Sequence, residues 1–305
     1  MKISNSVSNV SFCRIAVQFC PFCQNQSRVY RLKLSNLFVL NASHFAIAGQ
    51  RVCQSQVQIP FHALKQFQFK LQEVKMENPE KKPVCVIVGV GPNAGAANAT
   101  KFAQDGYTLA LLSRSTNFTQ ELSEKLGSAQ AYVCDVSDPE KIKEVFGKIR
   151  VDLGPVEVLV YSASSMKLGN IEECSIEDME KAWKINCLGC MVCCKQVIPD
   201  MVAKGSGNII ILGATGSLRG GANFTAFSST KNAQRTLGES MARHLGPKGV
   251  HVSLVIIDGA IANDKEAGDK WLKAEKLAET LVFLTKQDKS AWTFQLDIRP
   301  FGEKW

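Results

Sequence analysis

From residue 84 onward the chain alternates between two hydrophobic patterns. Val84–Val88 (VCVIV) is an unbroken apolar run, the pattern of a strand buried on both faces. A glycine-rich turn follows, then a helical segment through Lys101 and Asp105 that stops at Gly106. The alternation continues with strand 107–113, helix 116–126, strand 130–136 and helix 138–150, the last opened by Ser137-Asp138-Pro139. Strand 156–162 leads to a long helix over 175–203 with a break near Gly189. Strand 208–214 leads to helix 225–245, strand 250–257 to helix 270–286, and strand 293–298 ends before Pro300. Seven apolar strands separated mostly by helices predict one α/β domain over 76–305, a doubly wound seven-stranded parallel sheet with helices on both faces.

Composition changes the picture mainly at the N-terminus. The 305 residues are 45% hydrophobic and 21% charged, with a net charge of +8. Residues 1–72 carry eight basic side chains (Lys2, Arg14, Arg28, Arg31, Lys33, Arg51, Lys65, Lys70) and no Asp or Glu. The remainder holds 28 basic and 28 acidic residues and is neutral. The folded part therefore offers no electrostatic case for binding DNA or RNA. Residues 1–75 lack a clean helical or strand period and are basic, Ser-containing and, up to Glu73, acid-free. They are either an organelle transit peptide or an unstructured or spurious extension ahead of Met76. The first reading places the protein in a plastid or mitochondrion, the second in the cytoplasm. The longest apolar run there, Leu37 to Leu40, is far too short to span a bilayer.

Eleven cysteines do not imply a disulfide framework, because no apolar signal-peptide core precedes them. Cys85 and Cys134 lie in strand-like runs. Cys187, Cys190, Cys193 and Cys194 crowd one helix without accompanying histidines, so buried thiols are expected rather than a metal site. Cys20 and Cys23 form a CxxC that lacks the βαβ context of a redox motif.

Gly89-Val-Gly91-Pro92-Asn93-Ala94-Gly95 joins the first strand to the first helix. A dinucleotide pyrophosphate requires a turn tight enough to exclude side chains, followed by N–H groups at a helix N-terminus. Gly91, Gly95 and Ala97 fit a G-x-x-x-G-x-G spacing with alanine in third place, so a Rossmann nucleotide-binding domain is predicted. The second strand ends Leu112-Ser113-Arg114, with no acid to accept from ribose hydroxyls. A serine and an arginine suit a 2′-phosphate, which favours NADP(H) over NAD(H).

These landmarks together resemble the short-chain dehydrogenase/reductase family over residues 82–305. The resemblance implies that Asp135, with Val136 beside it, contacts the adenine, and that Tyr161-Ser-Ala163-Ser164 stands at the family's Asn-Asn-Ala-Gly motif. Asn186 in Lys184-Ile-Asn-Cys-Leu-Gly189 matches the asparagine of the family's proton relay. Lys231 matches the lysine of Tyr-x-x-x-Lys and would grip the ribose. Asp258-Gly259-Ala-Ile261 matches the Pro-Gly turn that supports the nicotinamide amide, with aspartate replacing proline. The segment from Ser290 to Pro300 resembles a divergent branch of the family.

Two departures stand at the reacting centre. Phe227 occupies the place of the catalytic tyrosine, and Ala214 the place of the family serine. Thr215, one residue on, points to the opposite face if the strand continues, and inward if the strand ends at 214. Phenylalanine cannot move a proton, and removing a positioned general acid typically costs about 10²–10⁴ in rate. Three accounts follow. Another group gives the proton to a small carbonyl or enoyl substrate: Tyr161, Thr215, Ser228, or a water held by Lys231 and Asn186. Alternatively the chain binds nucleotide without turnover, as a sensor or partner subunit, or it is a structural member of a hetero-oligomer. The short charged loop over 262–269 implies an open site or a lid from a partner. The resemblance implies a homo-oligomer assembled through helices 175–203 and 225–245.

Overall fold

In a computed structural model of the protein, residues 82–262 and 268–304 are described. The reading of residues 1–75 lies outside them, as does most of the charged loop over 262–269.

β1 (Val84–Val88) is buried at every position. Val84, Val86 and Val88 enter one hydrophobic cluster, while Cys85 and Ile87 enter a second on the other face of the sheet. That division explains why the strand has no polar side. α1 (Ala94–Gln104), β2 (Thr108–Ser113), α2 (Asn117–Leu126), β3 (Ala129–Val133), α3 (Pro139–Asp152) and β4 (Val156–Tyr161) follow. Then come α4 (Ile176–Lys204), β5 (Gly207–Ala214), α5 (Thr225–Leu245), β6 (Val250–Ile257), α6 (Ala274–Thr285) and β9 (Gln295–Ile298), with short strands β7 (Ala260–Ala262) and β8 (Trp271–Lys273) after β6. The main sheet has the order β3-β2-β1-β4-β5-β6-β9 and every pairing in it is parallel. α3, α4 and α5 supply the first cluster and α1, α2 and α6 the second. The chain reverses direction across the sheet between β1 and β4, and a crevice opens there at the strands' C-terminal ends.

Local chemistry sets the boundaries. α3 starts where the Asp138 side chain accepts from the backbone N–H of Glu140 and Lys141, with Pro139 next. Gly106 adopts φ +91 after α1, and Gly127 φ +66 after α2.

Three expectations are corrected. Helix 175–203 does not break at Gly189. It passes through a π-helical turn at Lys184–Leu188 and continues. A Cβ on Gly189 would stand 2.5 Å from the Val136 carbonyl oxygen, so close packing is what requires the glycine. The last helix begins at 274, because Trp271–Lys273 pairs with Ala260–Ala262 as a separate two-stranded ribbon. β3 ends at Val133, leaving 134–136 as connecting backbone. Among the described residues, α4 is the one helix long and apolar enough to cross a membrane. More than half of its apolar window is buried in the domain, as in a core helix.

Candidate active site

A cleft of about 680 Å³ lies over the C-terminal ends of β1, β4, β5 and β6. One wall is the turn between β1 and α1. Gly89 has φ +88, and a Cβ there would meet the Ala163 backbone nitrogen at 2.5 Å. Its N–H and that of Val90 both donate to the Leu112 carbonyl, at 2.9 and 3.0 Å. Gly95 presses on Val90, where a Cβ would lie 2.7 Å from Cα. Gly91 has nothing within 4 Å.

The glycine frame is thereby corrected. The glycines that close packing requires are Gly89 and Gly95, whereas spacing had put Gly91 in the first place, where the structure imposes no such need. Gly91, Pro92, Asn93 and Ala94 still line the cleft. Asn93 makes no side-chain cap and the first turn of α1 carries no acid. That helix end thus presents its positive dipole to the cleft uncompensated.

Ser113 and Arg114 stand at the end of β2, beside Asp135 after β3. The Ser113 hydroxyl bonds the Ser115 carbonyl and Thr119, while Arg114 is exposed. Asp135 Oδ1 accepts from the Ser137 N–H at 2.9 Å and its hydroxyl at 2.7 Å. Those bonds, with a smaller contribution from Arg114, hold the carboxyl below the usual range. Val136 is buried in the first cluster, and Ala163 is the residue that closes on Gly89.

The far wall carries Thr215, Phe227, Lys231, Gly259 and Ile261. β5 ends at Ala214, and a 3-10 turn at Thr215–Ser217 brings Thr215 to the cleft. The Thr215 hydroxyl donates to Asp258 Oδ1 at 2.6 Å. The other Asp258 oxygen pairs with Arg299 at 2.7 Å, both side chains being largely buried. Sequence reasoning marked Asp258 as a departure but missed its partner, which arrives from beyond β9 with no local pattern to announce it.

Lys231 Nζ donates to the Leu212 carbonyl at 2.8 Å and to Gln234 Oε1 at 2.9 Å. Burial pushes its pKa down to about 8, because no carboxylate offsets the lost hydration. Phe227 rests its ring against Gly216.

Two expected proton carriers are removed. Tyr161 is fully buried on the α4 side of the sheet and donates to the Ile185 carbonyl, so its hydroxyl faces away from the cleft. Asn186 is also fully buried. Its amide donates to Ser165 O at 3.0 Å and Thr230 Oγ1 at 2.9 Å, and its oxygen accepts from Ser165 N at 2.8 Å. That side chain ties the loop after β4 to α5 and has no donor left for a relay water.

A family model described as short chain dehydrogenase matches residues 83–266. The chain belongs to the short-chain dehydrogenase family. Among its relatives, this short-chain dehydrogenase is 31% identical over 182 residues to the 3-oxoacyl-(acyl-carrier-protein) reductase of Mus musculus, covering 59% of this chain and 76% of that protein. It resembles the crystal structure of a short-chain dehydrogenase from Rhodopseudomonas palustris at 30% identity and TM-score 0.65, over 72% of this chain and 99% of that one. An alcohol dehydrogenase from the archaeon Thermococcus sibiricus, complexed with 5-hydroxy-NADP, matches at 26% identity and TM-score 0.67, over 73% and 98%. The family is one of oxidoreductases that bind NAD(P). The buried thiols of α4 stand apart from the cleft: desolvation raises the pKa of Cys193, and a hydrogen bond to Cys190 together with burial raises that of Cys194.

Proposed function

We propose that this protein is an NADP(H)-dependent oxidoreductase that transfers hydride to or from a small carbonyl, alcohol or enoyl substrate, with a proton donor other than residue 227. The observation that carries the reading is the cradle at Gly89. Its positive φ and its closure on the Ala163 backbone fix the turn, and Gly91 beside it, with nothing within 4 Å of a Cβ, leaves space at the cleft where a pyrophosphate would pass. The open N-terminus of α1 would hold the phosphates, Lys231 the ribose, and the backbone at Gly259 and Ile261 the nicotinamide amide. When bound, the cofactor supplies or accepts the hydride. Asp135 would meet the adenine. Ser113 and Arg114 would take the 2′-phosphate, since a planar guanidinium binds phosphate through two parallel bonds.

Titration with NADPH and NADH tests this directly. NADPH is expected to bind more tightly, and Arg114→Ala to weaken NADPH about tenfold while leaving NADH unchanged. Equal affinities in the wild-type protein would remove the preference.

Phe227 and the engaged Asn186 favour one other reading, nucleotide binding without turnover. Tight NADPH binding with no oxidation by any carbonyl or enoyl substrate would establish it. Assembly through α4 and α5 belongs to the main reading, and Ile176 and Trp183 leave apolar surface on α4.

A further inference from the structure

Two loops rim the cleft away from the β1–α1 turn, one following β4 and the other β5. A parallel bridge stitches them together. The Gly169 N–H donates to Asn223 O at 2.9 Å, and the Thr225 N–H to Gly169 O at 3.2 Å. The first loop is also pinned from the α4 side, since Asn186 engages both the N–H and the carbonyl of Ser165. These loops and α5 bring Met166, Phe224 and Phe227 to the cleft. The two rings stand 6.2 Å apart with an interplanar angle of 54°. Glycines let them fold in: a Cβ on Gly221 would meet Phe224 at 2.8 Å, and one on Gly216 would meet Phe227 at 3.2 Å. Met166 is exposed and both rings are half-buried, so this corner presents apolar surface that a bound molecule would cover.

The charges on the walls are unequal. Among the described residues, Arg219, Lys231 and Asp258 are the charged side chains that line the cleft. Asp258 is paired with Arg299 and accepts from Thr215. Lys231 is buried, with its ammonium on the Leu212 carbonyl and Gln234. Arg219 follows the 3-10 turn, where its backbone N–H donates to Thr215 O at 3.2 Å, and its side chain is exposed. No group among the described residues engages its guanidinium. An arginine in open water needs no partner. This one borders a concave apolar surface whose single carboxylate is already neutralised, so it gives that end of the cleft a standing positive charge.

We propose that the cleft takes a small organic acid, an oxo acid or the corresponding hydroxy acid, with its carboxylate on Arg219 and its apolar body against Met166, Phe224 and Phe227. The inference rests on the oxidoreductase reading and names the substrate class for that site. A planar guanidinium meets a carboxylate through two parallel N–H···O bonds, and an amide, with a donor in place of one oxygen, loses one of them. The cofactor's phosphates would lie at the opposite wall, over the N-terminus of α1, which leaves Arg219 to the substrate. Phe227 then serves as a piece of the binding wall.

The test uses full-length wild type, Arg219→Ala and Arg219→Lys. The probes are straight-chain and phenyl-substituted oxo acids, each paired with its primary amide, and pantetheine thioesters with and without the terminal phosphate. Binding is followed by calorimetry in the absence and presence of NADP⁺, where no hydride can pass to an oxo acid, and turnover by NADPH absorbance. Wild type is expected to prefer acid to amide, and Arg219→Ala to lower that preference about 10- to 100-fold, as for loss of a charge-assisted hydrogen bond. The loss is expected in Kd and KM rather than in kcat. Arg219→Lys, which keeps the charge but not the fork, is expected to recover part of it. No preference for acid over amide in wild type, or the same preference in Arg219→Ala, overturns the proposal. A matching loss of NADPH affinity in Arg219→Ala assigns the guanidinium to the cofactor and overturns it too, as does discrimination confined to the thioester phosphate. Acid-selective binding that Arg219→Ala abolishes, with hydride passed to none of the probes, upholds the acid site and overturns the oxidoreductase reading instead.

Discussion

Replacing Gly89 or Gly91 with alanine separates the two glycines of one turn by their surroundings. Gly89 sits at φ +88, a conformation that costs an alanine about 1–2 kcal/mol. Its new Cβ would also stand 2.5 Å from one backbone atom of Ala163 and 2.6 Å from another. Backbone cannot swing aside as a flexible side chain can, and overpacking of this kind costs about 1–3 kcal/mol more. Gly89→Ala is therefore expected to lose about 2–5 kcal/mol, a fall in Tm of roughly 4–20 °C for a domain of this size. Gly91 shows neither feature: no left-handed φ and nothing within 4 Å of its Cβ. Gly91→Ala is expected to change stability by less than about 0.5 kcal/mol. Its methyl group would instead project into the cleft and weaken NADPH about tenfold. Urea unfolding of both variants, followed by cofactor titration of whichever folds, reads the two effects separately. If Gly91→Ala unfolds as early as Gly89→Ala, the glycine frame argued from Ala163 is wrong.

Other outcomes can be checked on the same preparations. Intrinsic propensity makes Gly→Ala inside a helix stabilising by about 1 kcal/mol. Gly189→Ala should nevertheless destabilise by about 2–3 kcal/mol, because its Cβ would meet the Val136 carbonyl oxygen at 2.5 Å; a Tm at or above wild type would refute the contact. Lys231 carries a pKa of about 8 in the fold against 10.5 as its ordinary value. Between those values the unfolded chain binds the extra proton, so this residue makes stability rise with pH from about 8 to 10.5, by at most about 1.4 kcal/mol per pH unit. The buried thiols of Cys85, Cys193 and Cys194 are pushed upward and act in the opposite sense. The readout is therefore the difference between wild type and Lys231→Met in urea melts over that window, and a difference that is flat with pH would show that Lys231 is not desolvated.

Much of the fold was legible because burial on two faces leaves a one-dimensional trace. The runs VCVIV at 84–88 and LALL at 109–112 have no polar alternation, and each proved to be a strand covered on both sides. Caps such as Asp138-Pro139 and stops such as Gly106 are equally local, since each bond spans only a few residues. The turn between β1 and α1 was legible for the same reason: it is contiguous in sequence.

What the sequence could not reveal is what depends on distance through space. Gly89 and Gly91 look alike in the chain, and only Ala163, more than seventy residues on, distinguishes them. Gly189 looks like a helix breaker until Val136 is placed against it. Tyr161 and Asn186 were credible proton carriers as residue types, but packing turned one away from the cleft and engaged every polar atom of the other. Asp258 became intelligible only with Arg299 beside it. Hydrophobic periodicity is set by whether a position is buried, which each residue type records in its own polarity. Hydrogen-bond partners and steric clearances are properties of pairs brought together by the fold, and no single residue records its partner.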